Sequence, residues 1–515
     1  MDSSQGRATD GVLAAAPLLA ATRGVATAGL GLGAGHLVAG LTRPDTSPLL
    51  VVGSVLVDGA PAPVKEWAIR ELGTADKPVL VASVLVVVLA LAAALGVVAV
   101  RRRGVAVAGL LGLAAVAAGL ALLRPGADAG DVVPALVTGA TAVAALTLSG
   151  GHPTATDPAE DDLPTRRGVV VATGVLGVTA LGLAAAGQWL TVVRTRATSV
   201  VLPRPTEPAD AFPRGLEDRV PGVTPLRTAT DDFYRVDTRL VLPTVDVDTW
   251  SLTIDGDVER EVTLSFDDLL AMPMVERDIT LTCVSNEVGG PYAGGARWLG
   301  VPLRDVLDLA GIAATGADQI LSTDVDGMTI STPLAVALDG RDSLVAVGMN
   351  GRALPRAHGF PALMVVPGLY GYVGACKWLR RMTLTTYDAQ QAYWTERDWA
   401  TDGPIKVASR VDTPRPLSES APGRVVVAGV AWAQGVGIAG VEVRIDGGAW
   451  RPARLGPEVG DDYWRQWSLE WDAAPGRHLI ACRATDKSGR VQTAVRARPF
   501  PDGATGWHEI AVTVT

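Results

Sequence analysis

Cysteine is scarce in this chain of 515 residues. It occurs at three positions, Cys283, Cys376 and Cys482. One pair could form a disulfide, but three cysteines cannot build the disulfide framework of a small secreted protein. The chain also has no Cys-x-x-Cys pair, which argues against a structural zinc site and an iron–sulfur cluster. Each cysteine must therefore be interpreted on its own.

Histidine is also rare, with five residues in the chain. A haem buried in a membrane bundle usually needs two histidines that face each other across the helices. Only His36 lies within a long apolar run, and His152 lies in the loop after another run. We therefore predict no haem in this chain and interpret His36 as a packed or interfacial residue.

Basic charge is low for a chain of this size, and the formal net charge is −9. Residues 1–200 carry 14 basic and 13 acidic residues, whereas residues 201–515 carry 31 basic and 41 acidic residues. Binding to nucleic acid requires a basic surface that neutralises phosphates. The acidic second part therefore argues against nucleic acid as a partner.

Long apolar runs dominate the first 200 residues. They lie at about 12–41, 78–100, 105–123, 132–148 and 169–190. Since about 20 apolar residues span a bilayer, residues 1–192 are predicted to be a transmembrane region of about five helices in contact with lipid. The basic clusters Arg101–Arg103 and Arg166–Arg167 would both face the cytoplasm. The sequence thus predicts a multi-pass protein of the cytoplasmic membrane whose later domains are extracytoplasmic.

The pair Arg166-Arg167 stands directly before the fifth apolar run. With Thr165 and Gly168 it is similar to a twin-arginine export signal, which carries folded proteins across a membrane. The alternative is an ordinary basic anchor on the cytoplasmic side. Both interpretations stay open at this stage.

The next segments alternate between arm, strand and helix patterns. Residues 193–230 are rich in proline and charge and are predicted to be a linker or an extended arm. Residues 231–410 mix strand-like and helix-like stretches, which predicts an α+β domain. Within it, Ile279–Cys283 is a β-branched run that puts Cys283 at a strand end, before a polar loop.

Four segments of this α+β domain, taken in order, resemble the sulfite oxidase family of molybdopterin enzymes. They are Phe233-Tyr234-Arg235; Cys283-Val284-Ser285-Asn286 with Trp298-Leu299-Gly300-Val301-Pro302-Leu303; Met349-Asn350-Gly351-Arg352 continuing to His358-Gly359-Phe360-Pro361; and Val365-Val366-Pro367-Gly368-Leu369-Tyr370-Gly371 continuing to Lys377-Trp378-Leu379. The resemblance covers roughly residues 230–515. It is closest to membrane-anchored bacterial members of the family.

This resemblance implies a molybdenum–molybdopterin cofactor and oxygen-atom transfer. Cys283 would be the metal ligand, because a thiolate is a soft donor that suits a redox-active metal. The alternative is a buried, inert cysteine. The residues implied to contact the cofactor are Phe233, Tyr234, Arg235, Cys283, Asn286, Asp324, His358, Ala375, Cys376 and Lys377. Lys377 and His358 suit its phosphate and pterin on charge grounds.

The segment after the cysteine departs from animal and plant sulfite oxidases. Where those enzymes have arginines that help to bind an anion, this chain has Glu287 and Val288. Ala362-Leu363 replaces another arginine-containing stretch, and Trp399 stands in place of an active-site tyrosine. A carboxylate near the metal would repel sulfite. We therefore expect Cys283, Glu287 and Trp399 to form a catalytic site for a small neutral or cationic substrate. Trp298 and Trp399 would either line this pocket or be simply packed.

Several functional alternatives remain open from the sequence. The enzyme could work as a sulfoxide or N-oxide reductase, because a molybdenum centre serves either direction. A non-catalytic receptor or scaffold that retained the fold is a further alternative. With no haem domain predicted in the chain, electrons would pass through a separate carrier, such as a cytochrome c or a quinone-linked membrane protein.

Residues 411–515 are predicted to be an all-β domain. Arg424–Trp432 and Ile438–Gly448 alternate apolar and polar side chains, and the second ends in an Asp-Gly turn. The spacing suits an immunoglobulin-like β-sandwich and resembles the dimerisation domain of the same family. This leaves a homodimer and a monomer both open.

Overall fold

The structure is a computed structural model that describes residues 4–61, 64, 67–68, 71–72, 75–124, 127–149, 166–194 and 200–515. The chain divides into two compact units. The first comprises Met1–Arg196 and Asp237–Thr244, and the second comprises Ala197–Val236 and Val245–Thr515. The insertion of residues 237–244 into the first unit did not emerge from the sequence.

The described part of the first unit is helical. Its helices are α1 (Ser4–Leu41), α2 (Pro48–Gly59), α3 (Asp76–Arg101), α4 (Arg103–Leu122), α5 (Val133–Leu148) and α6 (Arg166–Arg194). Among the residues that the structure describes, five stretches are long and apolar enough to cross a membrane: Pro17–Leu41, Asp76–Arg101, Arg103–Leu122, Ala129–Leu148 and Val170–Val192. They coincide with the five predicted runs, whereas the shorter apolar helix α2 was not anticipated.

Small residues let the helices of this unit approach closely. A side chain at Gly24 of α1 would collide with the backbone of α3 at Ala92 and Gly96. Such close backbone contact between apolar helices is how helices associate where lipid replaces water. His36 is 3.1 Å from the Ser47 hydroxyl through its Nδ1, which agrees with its interpretation as a packed residue.

The first part of the second unit contains two sheets and four short helices. The strands are β1 (Ser251–Gly256), β2 (Val262–Ser265), β3 (Val275–Thr282), β4 (Ala293–Pro302), β5 (Gln319–Asp324), β6 (Thr329–Pro333), β7 (Leu344–Met349), β8 (Arg352–Ala353), β9 (Leu363–Val365), β10 (Ala375–Cys376) and β11 (Leu379–Thr385). The helices are α7 (Phe266–Ala271), α8 (Leu303–Asp308), α9 (Leu334–Ala337) and α10 (Gly371–Gly374). This mixture confirms the predicted α+β character.

The two sheets share one core. The first has the order β2-β1-β11-β5-β6, and the second has the order β10-β9-β7-β4-β3, with β8 paired to β7. Buried side chains from β1, β5, β7 and β11 pack together with Leu303 and Val306 of α8. Burial of this apolar surface is the main favourable term in folding. The buried side chains of β3, Val275, Ile279 and Leu281, pack in a second cluster with Trp298 of β4.

Strand β3 lies at the edge of its sheet, where unpaired backbone groups need other partners. The arm around Thr206 and Glu207 covers the start of this edge, because the Thr206 N–H donates to the Met274 carbonyl at 2.8 Å and the Glu276 N–H donates to the Glu207 carbonyl at 2.9 Å. The arm therefore lies against the domain instead of spanning free space.

The last part of the second unit is β-rich. Its strands are β12 (Ala408–Thr413), β13 (Glu419–Ser420), β14 (Gly423–Trp432), β15 (Ile438–Ile445), β16 (Arg451–Pro452), β17 (Arg454–Leu455), β18 (Arg465–Ala473), β19 (Gly476–Asp486) and β20 (His508–Val514). They form two sheets, β12-β14-β18-β17 and β13-β20-β19-β15-β16. A second core that includes Trp467, Trp471 and Cys482 unites them. The immunoglobulin-like arrangement stays a prediction.

Candidate active site

Cys283 follows the last residue of β3, as the sequence predicted. Its N–H donates to the Tyr292 carbonyl at 3.0 Å, and its carbonyl accepts from the Asn286 N–H at 3.1 Å. The Asn286 side chain closes the loop, since its Oδ1 accepts from the Tyr292 N–H at 2.8 Å. Asn286 therefore shapes the loop that presents the cysteine.

The thiol of Cys283 is partly exposed, whereas Cys376 and Cys482 are buried, and all three are free. Burial raises the pKa of the Cys283 thiol, while hydrogen bonds from the Ser285 N–H and hydroxyl and the positive charge of Lys377 lower it. The pKa is raised overall, so burial outweighs these groups and the protein alone keeps Cys283 as a neutral thiol. A bound metal would reverse this, because a coordinating thiol is deprotonated.

Tyr234 and Tyr370 lie within electrostatic reach of Cys283. Burial and then the charge of Cys283 raise the pKa of Tyr234. Burial raises the pKa of Tyr370 to about 12, and Asp502 and Cys283 add to the effect while a hydrogen bond from the Lys406 backbone opposes it. Both phenols therefore stay protonated near neutral pH and can donate hydrogen bonds.

The predicted cofactor residues form a continuous surface next to Cys283. Phe233 stacks on Tyr234 with ring centroids 5.2 Å apart and meets His358 edge-on at 5.4 Å. Tyr234 is 6.2 Å from the ring of Tyr292. His358 is buried, and its Nε2 is 3.2 Å from the Thr230 carbonyl. These contacts bring the Phe233–Arg235 segment and the cysteine loop together, with Arg235 exposed at its end.

Lys377 extends this surface towards the first sheet. Its ammonium donates to the Val236 carbonyl at 3.0 Å. Its backbone is pressed against Gly359, which has φ +105° and leaves no room for a side chain. The stretch Ala375-Cys376 forms β10 and pairs with Met364 and Val365.

Asp324 and Cys376 have structural contacts behind this surface. Asp324 ends β5, and its Oδ1 accepts from the Asp326 N–H at 2.8 Å and the Met328 N–H at 2.9 Å. The Cys376 side chain is buried in the main core. A cofactor would therefore meet the backbone of Cys376 and not its thiol.

The predicted catalytic residues Glu287 and Trp399 have different surroundings. Glu287 is exposed on the loop four residues after Cys283. Trp399 packs in an aromatic cluster with Tyr372 at 5.5 Å and Phe500 at 5.3 Å. Trp298 is almost fully buried, and its Nε1 donates to the Ile279 carbonyl at 3.1 Å. Packing is therefore the correct interpretation of Trp298.

Sequence reasoning missed three residues around the thiol, namely Ser285, Tyr292 and Tyr370. Ser285 and Tyr370 lie inside segments that carried the family resemblance, so a closer look at their polar side chains would have marked them. Tyr292 had no comparable signal. It comes near Cys283 only because the loop closes through Asn286.

Two buried titratable groups border the cysteine strand and loop. The His508 ring lies against Gly289, and its Nδ1 accepts from the Val411 N–H at 3.0 Å. Burial and then Arg410 lower the pKa of His508 to about 4. The carbonyl of Asp462 accepts from the Thr280 N–H at 2.9 Å. Burial and then Asp342 raise the pKa of its carboxyl to about 6.

These two groups should impose opposite pH dependences on stability. From pH 6.5 down to 4 an unfolded histidine gains a proton that folded His508 does not, so stability falls with acidification by about 3 kcal/mol. Between pH 4 and 6 folded Asp462 keeps a proton that the unfolded carboxyl has lost, so its contribution to stability falls as pH rises, by about 3 kcal/mol. The contributions of His508 and Asp462 therefore largely cancel each other between pH 4 and 6.

Replacing one of the two groups should reveal the pH dependence of stability that the other group causes. In His508→Asn, whose Oδ1 can still accept from the Val411 N–H, stability should fall as pH rises from 4 to 6. In Asp462→Asn it should rise from pH 4 to 6.5. Urea unfolding monitored by tryptophan fluorescence across this range measures both. Parallel profiles for the two variants would contradict the assignment.

The comparisons with known proteins agree with this geometry. The family described as "Oxidoreductase molybdopterin binding domain" matches residues 239–394. Sulfite oxidase from Gallus gallus is 31% identical over 313 residues, which cover 51% of this chain and 67% of that protein. The chain belongs to the sulfite oxidase family. Mitochondrial sulfite oxidase from Homo sapiens is 33% identical over 301 residues, covering 49% of this chain and 55% of that protein.

One solved structure extends the likeness to the fold. The sulfane dehydrogenase SoxCD from Paracoccus pantotrophus matches with a TM-score of 0.50 and 22% identity, covering 57% of this chain and 84% of that chain. At that identity the match supports the fold alone. Together with the sulfite oxidase matches, it supports a sulfite-oxidase-like central molybdopterin domain followed by a β-rich C-terminal part.

Membership of the family confirms three predictions: the chain is an oxidoreductase, it uses a molybdenum–molybdopterin cofactor, and it acts on a small molecule with a redox partner. The residues present fit this cofactor. A soft thiol at Cys283 stands beside hydrogen-bond donors and the Lys377 ammonium, which suits a metal with an anionic organic ligand. The scaffold alternative is therefore set aside.

Proposed function

We propose that this member of the sulfite oxidase family transfers an oxygen atom to a small neutral or cationic substrate and not to sulfite. Glu287 carries the proposal, because it puts an exposed carboxylate on the same loop as Cys283. A negative charge at this position disfavours a dianion such as sulfite and favours a cation. The neighbouring phenols of Tyr234 and Tyr370 stay uncharged, so they add hydrogen bonding without attracting an anion.

The proposed reaction balances with water as the source of oxygen. The substrate gains one oxygen atom from water, and two protons and two electrons are released. The bound molybdenum cofactor supplies the two-electron oxygen-atom chemistry. The electrons leave to a separate carrier, a cytochrome c or a quinone-linked membrane protein.

We assign the side chains around Cys283 the following roles. Cys283 is the metal ligand, and Phe233, Tyr234, Arg235, Asn286 and the Ala375–Lys377 stretch form the cofactor surface. Lys377 and His358 offer a positive charge and a ring nitrogen to the anionic parts of the cofactor. Asp324 acts from behind this surface by holding the turn after β5. Trp399 stays a predicted pocket residue, and its ring contacts are those of its cluster with Tyr372 and Phe500.

We assign the first unit to the cytoplasmic membrane, with the second unit on the extracytoplasmic side. The five apolar stretches support the anchor, and the basic clusters at Arg101–Arg103 and Arg166–Arg167 support the orientation. A homodimer through the β-rich C-terminal part stays a prediction.

Replacing Arg166 and Arg167 by lysine should leave the second unit on the cytoplasmic side if the twin-arginine route is used, because that route reads the arginine pair and not its charge. A protease added to intact spheroplasts should then no longer cut a C-terminal tag. The matched control replaces Arg102 and Arg103 by lysine, which keeps the tag accessible. An accessible tag in the Arg166→Lys/Arg167→Lys variant would reject this route.

A sulfoxide or N-oxide reductase is the second candidate, and the two tyrosines favour it. Reduction of such a substrate consumes two protons and two electrons and releases water. Because the pKa values of Tyr234 and Tyr370 are raised, their hydroxyls stay protonated near neutral pH and would be able to donate a hydrogen bond to a leaving oxygen atom. Neutral substrates of this kind also avoid repulsion by Glu287.

One set of measurements tests both candidates. The full-length protein is purified in detergent, and its molybdenum content is determined. Oxidation of sulfite and of neutral and cationic thioethers is followed with ferricyanide, and reduction of sulfoxides and N-oxides is followed with reduced methyl viologen. Turnover of a neutral or cationic substrate above that of sulfite supports the proposal. Sulfite as the best substrate would overturn it.

A further inference from the structure

The C-terminal part of the second unit reaches the strand that carries Cys283. Strand β3 is an edge strand, and its last residues need partners outside their sheet. Thr280 finds them in the C-terminal part: its N–H donates to the Asp462 carbonyl at 2.9 Å, and its hydroxyl accepts from the Trp464 N–H at 2.9 Å. The end of β3 is therefore completed by another domain.

Gln434 makes the contact nearest to the cysteine. Its Nε2 donates to the Thr280 carbonyl at 3.0 Å and lies 3.0 Å from the Thr282 hydroxyl. The side chain is only 5% exposed, and Thr282 is 2% exposed. The opposite orientation of the amide would place two carbonyl oxygens against each other, so the geometry requires the amide nitrogen to face β3.

The far end of the loop is held from the same side. Arg410 donates to the Gly290 carbonyl at 2.8 Å, to the Thr224 hydroxyl at 2.8 Å and to Asp412 at 2.6 Å. A side chain at Gly289 would overlap the His508 ring. Gln434 thus contacts the chain directly before Cys283, and Arg410 contacts the loop that follows it.

We propose that Gln434 is a positioning residue that fixes the direction of the Cys283 sulfur by holding the end of β3 from the C-terminal domain. Gln434 acts through Thr280 and Thr282 and does not touch the reacting atoms. A thiolate ligand must be oriented by its supporting shell, and losing such support typically lowers activity or metal affinity by 10- to 100-fold. Only the kinetic readout of this inference rests on the proposed function, namely on its second candidate, the sulfoxide reductase.

Gln434→Met removes the donor with little change in volume. The matched control is Gln492→Met, because Gln492 is 4% exposed and bonds only within the C-terminal domain, to Ser409, Ala484 and Gly506. With dimethyl sulfoxide and reduced methyl viologen, Gln434→Met should lower kcat about tenfold or more with KM unchanged. Gln492→Met should leave kcat within about twofold even if it lowers stability.

Two further measurements on the holoenzyme do not depend on turnover. Hydrogen exchange of peptides covering residues 279–290 should be faster in Gln434→Met than in the wild type and unchanged in Gln492→Met. The electron paramagnetic resonance spectrum of the partly reduced molybdenum should change in Gln434→Met alone, since it depends on the orientation of the sulfur ligand. If the protein turns over no tested substrate, these readouts still decide the role of Gln434.

A double-mutant cycle separates positioning from a general packing defect. Thr282→Val removes the hydroxyl to which Gln434 donates. The double variant should therefore lose no more protection from hydrogen exchange than Gln434→Met loses by itself. If Gln434→Met fails to accumulate, Thr282→Val should show the same changes in exchange and spectrum, with smaller amplitude. Wild-type exchange and an unchanged spectrum in these variants would overturn the proposal.

Discussion

Replacing Cys283 by serine is expected to lower kcat by about 1,000-fold or more while the protein keeps most of its molybdenum. The hydroxyl of serine is a harder donor than a thiolate and is not deprotonated near neutral pH, so the metal loses the ligand that suits its redox cycle. The cofactor itself would stay bound, because the surface formed by Phe233, Asn286 and Lys377 is untouched. Steady-state turnover, metal analysis and the molybdenum spectrum measure these effects together.

Cys482→Ser is the matched control for this variant. Cys482 is fully buried in the C-terminal core, where burial raises the pKa of its thiol to about 12 and Ser409 lies 3.2 Å from its sulfur. A serine there should lower stability and leave the molybdenum spectrum unchanged. If Cys283→Ser kept activity within about tenfold of the wild type, the thiolate ligand would be rejected.

Replacing Glu287 by arginine is expected to convert the loop from one that repels anions to one that attracts them. The substitution changes the local charge by two units on the loop of Cys283, so kcat/KM for sulfite should rise about tenfold and fall by a similar factor for a cationic thioether. Because Glu287 is exposed, both changes should shrink as ionic strength increases. Ferricyanide-coupled assays with the two substrates at low and high salt measure the effect.

Glu419→Arg is the control for a general charge effect. Glu419 is also exposed, but it lies on β13 of the C-terminal domain. Glu419→Arg changes the net charge of the protein by the same two units as Glu287→Arg, and it should leave the kcat/KM values for both substrates unchanged. Equal responses of the two variants would show that net charge and not the position of Glu287 selects the substrate.

Much of the framework could be predicted from local patterns. Local sequence is enough to predict the five apolar runs and the position of Cys283 after a β-branched strand. The length and the alternation of hydrophobic segments show which side chains are buried. The capping pair of α7 is similarly local: the Asp268 N–H donates to the Ser265 hydroxyl at 3.1 Å, which marks the start of that helix.

The surroundings of the thiol could not be predicted in the same way. Trp298 and Trp399 are both tryptophans close to family segments, yet one is buried behind β3 and the other lies in a separate aromatic cluster. Tyr292 approaches Cys283 through a loop closure that depends on one Asn286 hydrogen bond. Neither alternation nor charge indicates which face of a loop a side chain will occupy.

The sequence by itself determined the cofactor, through Cys283 and the segments around it, and it raised the prediction that Glu287 disfavours an anionic substrate. Only the tertiary structure decided that Tyr234 and Tyr370 lie within electrostatic reach of Cys283 and that Gln434 and Arg410 hold the cysteine loop from the β-rich C-terminal part. The physical reason is distance along the chain. Gln434 lies more than 150 residues from Thr280, and contacts over such separations are set by how whole sheets pack and not by any local pattern.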